Sequence, residues 1–464
     1  MGGRMLLKHY FVEKIAHSSY ILAGNEICAV IDPRRDIDLY IDEARKMGLK
    51  ITHILETHLH ADFISGHIEL SEKTGAIIYM PKAANALFSH TQVYEGYEFN
   101  IEDMKIKVIE TPGHTPEHVS YILYDLSRGE EPIGVFTGDT LLVGDVGRPD
   151  LFPNRSEELA NKLYNSLFNK LLKLPDYCEV YPAHGAGSLC GKSMAAKYTT
   201  TIGYEKRFNA SLQIENIDEF IKTLTNDMPG VPDYFERSSQ TNAIGAIPIS
   251  KLPIMKTLEP LLFNEAYKDS DTLVLDVRSY ESFGALHVPN AYNIDFSGNF
   301  PTFAGWVLPP YKNILLVAEN YGIAAETSIW LKRVGIDNVI GYLHGGMHEW
   351  VVAGLPVNHV LQVSPSEFEM MSKNEDTILV DGRDRTAYNE FHIVNSINIP
   401  SPELRVRFEE LDKKKDIVIV CNSGVRSSLG TSILEQKGFK KLYNFSGGMK
   451  GYMAFKGRKQ EVLK

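Results

Sequence analysis

Through about residue 225 the chain alternates short, β-branched apolar runs with polar loops. "ITHILETH", "IKVIETPGH", "PIGVFTGD" and "CEVYPAHG" each read as a buried strand running straight into a loop that carries His, Asp or Gly. Four strands ending in possible ligands predict a site at one sheet edge, fed by loops on a rigid scaffold. Helical segments lie between them; "SEELANKLYNSLFNKLLKL" sets Leu159, Leu163, Leu167 and Leu171 on one face. Over 226–260 the periodicity fades and Pro, Gly and Ser become frequent, which predicts a linker or surface wrap. Beyond it the pattern repeats. "LVLDVRSYESFGALHVPNAYNI" at 273–294 aligns with "ILVDGRDRTAYNEFHIVNSINI" at 378–399, pairing Asp276 with Asp381, Arg278 with Arg383, His287 with His392 and Asn293 with Asn398 at an offset of 105. "YLHGGMHEW" matches "FSGGMKGY" at an offset of 102. Alternating strands and helices in both copies predict two small α/β units with parallel sheets. Three domains are therefore expected, at 1–240, 258–358 and 362–464.

Composition narrows the class. At 464 residues and 52.1 kDa the chain is too long for a single core, and 44% hydrophobic with 23% charged residues is the ordinary globular balance. A net charge of -11 argues against a nucleic-acid binder, which would carry a basic stripe. No apolar run reaches the roughly 18 residues of a membrane span, and "MGGRMLLKHYFVEK" lacks the apolar core of a signal peptide. A cytoplasmic protein that binds neither nucleic acid nor membrane, and forms a homo-oligomer, is expected. The four cysteines, at 28, 178, 190 and 421, are too few for a disulfide scaffold. Cys28 and Cys178 sit inside apolar strand patterns and read as core.

The loops carry the chemistry. His58, His60 and Asp62 fall in the first, His114 in "TPGHTPEH", Asp139 in "TGDTLL" and His184 in "PAHGAG". Six candidate ligands directly after four separate strands point to a metal. His58, His114 and Asp139 make a set of two imidazoles and one carboxylate, which leaves positions open on Fe(II) and also serves catalytic zinc. A two-metal hydrolase needs a second complete set about 3.5–4 Å away. The residue after Asp62, where that set would continue, is Phe63, which coordinates nothing and dries the pocket. One metal is the expectation, with His60, Asp62 and His184 as supporting groups that orient ligands and move protons.

The combination "THLHAD…TPGHT…TGD…PAHGAG" resembles the metallo-β-lactamase fold over about the first half of the chain. Within it, "HLHADFISG", "GDTLLVGDVGRPDL" and "PAHGAGSLCGK" look like the persulfide dioxygenases rather than the glyoxalase II hydrolases. The resemblance implies an αββα sandwich that holds one Fe(II) per chain through His58, His114 and Asp139, with zinc possible in the protein as purified. It also implies O2-dependent oxidation of a low-molecular-weight thiol persulfide to sulfite. Arg148 in "GDVGRPD" reads either as a solvated surface arginine or, preferably, as a forked donor for a carboxylate or phosphate on the carrier thiol. Glutathione-using relatives have Asn-Pro-Arg where this chain has Asn209-Ala210-Ser211, so the carrier thiol stays open. Cys190, six residues after His184, reads equally as a persulfide holder near the metal or as packing.

Near the far end, the apolar run "IVIV" stops at Cys421. The loop Cys421-Asn422-Ser423-Gly424-Val425-Arg426 then leads into a helix. That places the sulfur over a helix N-terminus lined with backbone N–H groups, with Gly424 allowing the tight turn and Arg426 adding positive charge. With "VDGRDRTAYNEFHI" and "FSGGMKGY", this segment looks like a rhodanese, a sulfurtransferase, over roughly 362–460. The resemblance implies that Cys421 accepts a sulfane sulfur and passes it to a nucleophile such as sulfite, giving thiosulfate. The first copy has Ala318 or Glu319 at the cysteine position and looks like an inactive rhodanese, kept as a spacer or docking surface. His287 and His392 occur in both copies and therefore read as fold-stabilising.

The leading reading is a persulfide dioxygenase fused to a sulfurtransferase. A zinc thioester hydrolase of glyoxalase II type with regulatory rhodanese repeats is the alternative, and a non-enzymatic persulfide sensor ranks third. Phe63→His is expected to gain a second metal ion and lose O2 chemistry, checked by metal analysis and an oxygen electrode. Unchanged metal content and turnover would make Phe63 incidental.

Overall fold

A computed structural model describes residues 5–226, 228 and 230–462. The chain divides into two compact units, Met1–Leu252 with Lys332–Gly335, and Pro253–Leu331 with Ile336–Lys464. The expected domain ends at 1 and 464, and positions 227 and 229 of the expected linker, lie outside the described residues.

The first unit is an αββα sandwich. One six-stranded sheet runs from Leu6–Val12 through His17–Ala23, Ile27–Ile31, Lys50–Leu55 and Ile77–Pro81 to Thr91–Val93. The other runs from Thr200–Thr201 through Glu179–Pro182, Pro132–Gly138, Val119–Asp125 and Met104–Glu110 to Glu98–Ile101. Strands that alternate inward and outward fill the middle with Tyr20, Leu22, Ile31, Leu55, Val108, Tyr121, Leu123 and Phe136. The outer faces are closed by helices: Tyr40, Ala44 and Leu70 cover one sheet, and Leu163, Leu167, Phe220 and Leu224 the other.

The four predicted strands are present, and pairing explains why their ends meet. Lys50–Leu55 is parallel to both Ile27–Ile31 and Ile77–Pro81, and Pro132–Gly138 is parallel to Glu179–Pro182. Parallel neighbours finish at the same edge, so the loops that follow them share one rim. The predicted leucine face packs as expected, with Leu159, Leu163, Leu167 and Leu171 all buried, each contributing roughly 1.5–3 kcal/mol. The helix itself stops at Asn169, and Leu171 continues in a short 3-10 turn. Gly113 in the His114 loop, at φ 150°, lies so close to this helix that a Cβ would fall 2.4 Å from Leu163 Cα.

Part of the 226–260 stretch is an integral element rather than a linker. Helix Tyr234–Ile244 buries Tyr234, Phe235, Ser238 and Asn242, so the expected boundary at 240 falls inside it. Asn242 donates from Nδ2 to the carbonyls of His60 and Phe63 and accepts from Ser65 N–H, which clamps the first ligand loop. Its polar sequence hid the helix because the buried face is built partly from amide and hydroxyl groups.

The second unit holds two five-stranded sheets with the same order and all-parallel pairing. The repeat is structural in detail. Arg278 forks onto Asp276 and Arg383 onto Asp381, while Asn293 and Asn398 donate from Nδ2 to the carbonyls of those same residues. His287 stacks on Phe283 and His392 on Tyr388, at 3.8 and 4.0 Å. Both therefore stabilise the local fold, as expected. Asp381→Asn leaves a buried arginine without its counter-charge, and about 3–5 kcal/mol of stability should go. A lower urea midpoint for the transition of this unit checks it, and an unchanged midpoint would remove the pair from the argument.

Candidate metal centre and cysteine loop

At the shared rim of the sandwich, His58, His114 and Asp139 bring one ligand atom each to within 4.8 Å of one another, all buried. The surrounding hydrogen bonds decide which imidazole nitrogen faces inward. Thr57 Oγ1 gives its one proton to Asp32 Oδ2, so at 2.9 Å from His58 Nδ1 it accepts, and Nδ1 carries the hydrogen. His114 Nδ1 lies 2.9 Å from the carbonyl of Arg148, which only accepts, so it too carries the hydrogen. Both Nε2 atoms are thus lone-pair donors, buried without a hydrogen-bond partner among the described residues and 3.7 and 3.3 Å from Asp139 Oδ2. Burial pushes both imidazoles down and keeps them neutral. Two oriented imidazoles with unpartnered Nε2 atoms beside a carboxylate fit a bound divalent metal.

His184 places Nδ1 2.8 Å from Asp139 and Nε2 2.9 Å from Asp62 Oδ2. Although burial works against its charge, the two carboxylates raise its pKa well above the usual imidazole range, and it bridges them as a cation. Burial alone would raise Asp139, but His184, then His114 and His58, hold it well below the usual carboxylate range. His60 turns away from the ligand trio: its Nε2 lies 3.2 Å from Asp32 Oδ1 and 3.6 Å from Glu56 Oε2. Phe63 is fully buried, its ring 4.4 Å from that of His60 and 4.1 Å from that of His17. The aromatic ring therefore stands inside the site.

One expectation changes. Arg148 is neither at the surface nor open to a substrate: its Nε and Nη2 each bind Asp150 at 2.7 Å, and Nη1 donates to the Leu189 carbonyl. With its carbonyl on His114, it positions a ligand loop. Asn209 is likewise internal, donating to the Asp145 carbonyl and Glu205. Cys190 lies with Asp62 and His184, ligand atoms within 4.8 Å, and burial followed by the two nearby carboxylates pushes its thiol well up.

Four participants escaped sequence reasoning. Asp32 and Glu56 end adjacent parallel strands and so meet side by side; Asp32 also adopts φ 48°, rare for a non-glycine residue. The apolar-run-then-acid pattern of "AVIDP" and "ILETH" was available as a signal. His118 accepts the Asp139 N–H at Nε2, and burial pushes its pKa down to about 3, so it remains a neutral acceptor. His17 lies at a strand start and has no sequence signal.

In the second unit, the strand Asp416–Val420 delivers Cys421, which is buried at the base of its loop. Its Sγ accepts from Gly424 N–H at 3.2 Å and from Ser427 Oγ at 3.4 Å, and helix Val425–Gln436 starts at once. Gly424 takes φ 108°, the turn that points this N–H at the sulfur. Asn422, Ser423, Val425 and Arg426 face a cavity, and Arg426 Nη1 sits 3.6 Å from Asp384. Strand register resolves the other copy: Asp276 pairs with Val317 as Asp381 pairs with Val420, so Ala318, not Glu319, stands in the place of Cys421.

Known proteins divide along the same lines. The model of the Metallo-beta-lactamase superfamily matches residues 13–184, and that of the Rhodanese-like domain matches 260–353 and 364–455. The chain is 29% identical over 232 residues to mouse "Persulfide dioxygenase ETHE1, mitochondrial", covering 48% of this chain and 82% of that protein. It is 28% identical over 242 residues to a "Hydroxyacylglutathione hydrolase" of Pseudoalteromonas translucida, covering 51% and 87%. A crystal structure of a metallo-beta-lactamase from Staphylococcus aureus subsp. aureus COL superposes with a TM-score of 0.67 at 33% identity, covering 73% of this chain and 99% of that one. The chain belongs to the metallo-β-lactamase superfamily, with persulfide dioxygenases among its relatives and two rhodanese-like domains fused behind the metal-binding fold.

Proposed function

We propose that this protein is an iron persulfide dioxygenase coupled to a sulfurtransferase. The observation that carries it is the oriented trio His58, His114 and Asp139, with a buried Phe63 in the same site. One Fe(II) per chain held there would offer open positions where O2 and a persulfide sulfur become neighbours. Zinc suits the same three ligands and is compatible with protein as purified. The balanced reaction is RSSH + O2 + H2O → RSH + HSO3⁻ + H⁺, with a low-molecular-weight thiol as R–SH. The chain's own residues prepare it: Thr57 and the Arg148 carbonyl orient the imidazoles, and Phe63 excludes water. His184, poised between Asp139 and Asp62, holds the nearest mobile proton.

At the other end, Cys421 carries a sulfane sulfur as Cys421–S–S⁻, and sulfite removes it as thiosulfate while the thiolate is regenerated. The loop N–H of Gly424 and the hydroxyl of Ser427 stabilise the anionic sulfur. Joining both activities in one chain raises the effective concentration of one product at the other site. The four free cysteines suit a reducing compartment, so a cytoplasmic setting is proposed, with the chains as a homo-oligomer. Among the described residues no helix is long and apolar enough to cross a membrane.

A zinc thioester hydrolase is the second reading, favoured by the hydroxyacylglutathione hydrolase relatives and by the convergence of Asp62, His184 and Cys190. About two zincs per chain and no O2 uptake with any persulfide would sink the dioxygenase reading. O2 consumption with low-molecular-weight persulfides, with sulfite and thiosulfate quantified, tests the main reading directly. Cys421→Ala should leave O2 uptake unchanged and shift the product from thiosulfate to sulfite. His114→Ala should lose metal and at least about 100-fold in O2 uptake, while sulfur transfer at Cys421 persists.

A further inference from the structure

Helix Tyr321–Arg333 lies within the span matched by the first rhodanese-like copy, yet the turn that ends it, Lys332–Gly335, belongs to the first compact unit. Gly335, at φ 75°, closes the helix: its N–H bonds the Lys332 carbonyl, and the Ile336 N–H bonds that of Leu331. A helix leaves its last four carbonyls without partners of its own, and this closure covers two of them. The other two are taken by residues distant in the chain. Ile64 N–H donates to the Arg333 carbonyl at 2.7 Å, and Arg237 Nη2 donates to that of Val334 at 3.5 Å.

Side chains hold the turn in place. Arg333 is buried and forks onto Asp36, Nε to Oδ1 at 2.7 Å and Nη2 to Oδ2 at 2.8 Å. Arg34 Nη2 meets the same carboxylate at 3.0 Å, and Arg35 Nη1 donates to the Lys332 carbonyl. What the turn grips is the loop of the first metal ligand. Ile64 follows Phe63, whose carbonyl is held by Asn242, and the Ser65 N–H goes to the same asparagine. Ile64 is itself buried, and a Cβ on Gly335 would lie 3.5 Å from its Cδ1. Asp36 comes four residues after Asp32, which takes the N–H and hydroxyl of Thr57, the hydroxyl that orients His58. The turn therefore touches the segments that follow both Asp32 and Asp62.

We propose that the turn Lys332–Gly335 is a support of the metal centre, with Arg333 a positioning residue that fixes the His58–Phe63 loop through the Ile64 N–H. This rests on the reading of His58, His114 and Asp139 as metal ligands. The helix that ends in this turn carries no thiol, and its C-terminus serves the metal centre instead. When the fork onto Asp36 is lost, the Arg333 carbonyl drifts from Ile64 and a buried N–H loses its acceptor. The loop relaxes to recover a partner, and His58 Nε2 no longer converges with the other two ligands.

The test strips the full chain of metal and titrates it with Co(II), read in the visible absorption of the bound ion. Arg333→Ala and Asp36→Asn should each raise the Co(II) Kd about tenfold and shift the absorption bands. The double variant should lose no more than about twofold beyond either single one, because both act through one pair. Lys251→Ala, which breaks an exposed ion pair with Glu72 on the same unit, should leave the Kd unchanged. If Arg333→Ala does not fold, Asp36→Asn carries the test. Wild-type Kd and bands in the folded variants, even with a lower urea midpoint, overturn the proposal and leave the turn as packing. Fully additive losses in the double variant overturn it as well. Wild-type protein that binds Co(II) no better than His114→Ala overturns the metal-centre reading itself.

Discussion

Asp139 carries a negative charge without any exposure to water, and much of the first unit is arranged to make that tolerable. A buried carboxylate costs several kcal/mol unless it is paired and hydrogen-bonded. Here the His184 cation sits against both oxygens, His118 takes the backbone N–H, and the two neutral imidazoles of His58 and His114 face Oδ2. A metal ion held by His58, His114 and Asp139 would complete this balance, since its charge would offset the carboxylate and the two Nε2 atoms have no hydrogen-bond partner among the described residues. Asp62, Asp32 and Glu56 repeat the logic around His184 and His60. The rim is thus an alternation of acids and imidazoles, and the strands that deliver them must hold their register for it to balance.

Register also separates the two rhodanese-like copies. Both keep the fork of arginine on aspartate and the asparagine that ties the strand ends, since these stabilise the sheet whatever the loop does. One position beyond the central strand the copies part: Cys421 in one, Ala318 in the other. The first copy has no thiol at this position, and its Tyr280, Asn293 and His287 meet the Cys421 loop and helix.

Much of this was readable in residue order. Local patterns carry it: apolar runs ending in His or Asp, a leucine face at helical spacing, a repeat at an offset of 105 that shortens to 102, and a cysteine followed by a tight basic loop. Each depends on contacts within a few residues, so the strands, the repeat, the candidate trio and the Cys421 loop could be expected beforehand, while the sandwich was implied by the resemblance to the metallo-β-lactamase fold. The forked-donor reading of Arg148 changed because Asp150 takes its Nε and Nη2 and the Leu189 carbonyl takes Nη1, and sequence does not tell a paired arginine from an open one.

The linear pattern of the chain determined which residues stand at strand ends, and hence the kinds of chemistry on offer. Only the tertiary structure decided which of them meet. Parallel pairing set Asp32 beside Glu56 and turned His60 toward them, helix Tyr234–Ile244 clamped the first ligand loop, and the copy without a cysteine became a wall of the Cys421 cavity. The physical reason is the same in each case. These contacts join residues far apart in the chain, and their energy comes from burial and charge pairing that exist only once the strands are in register.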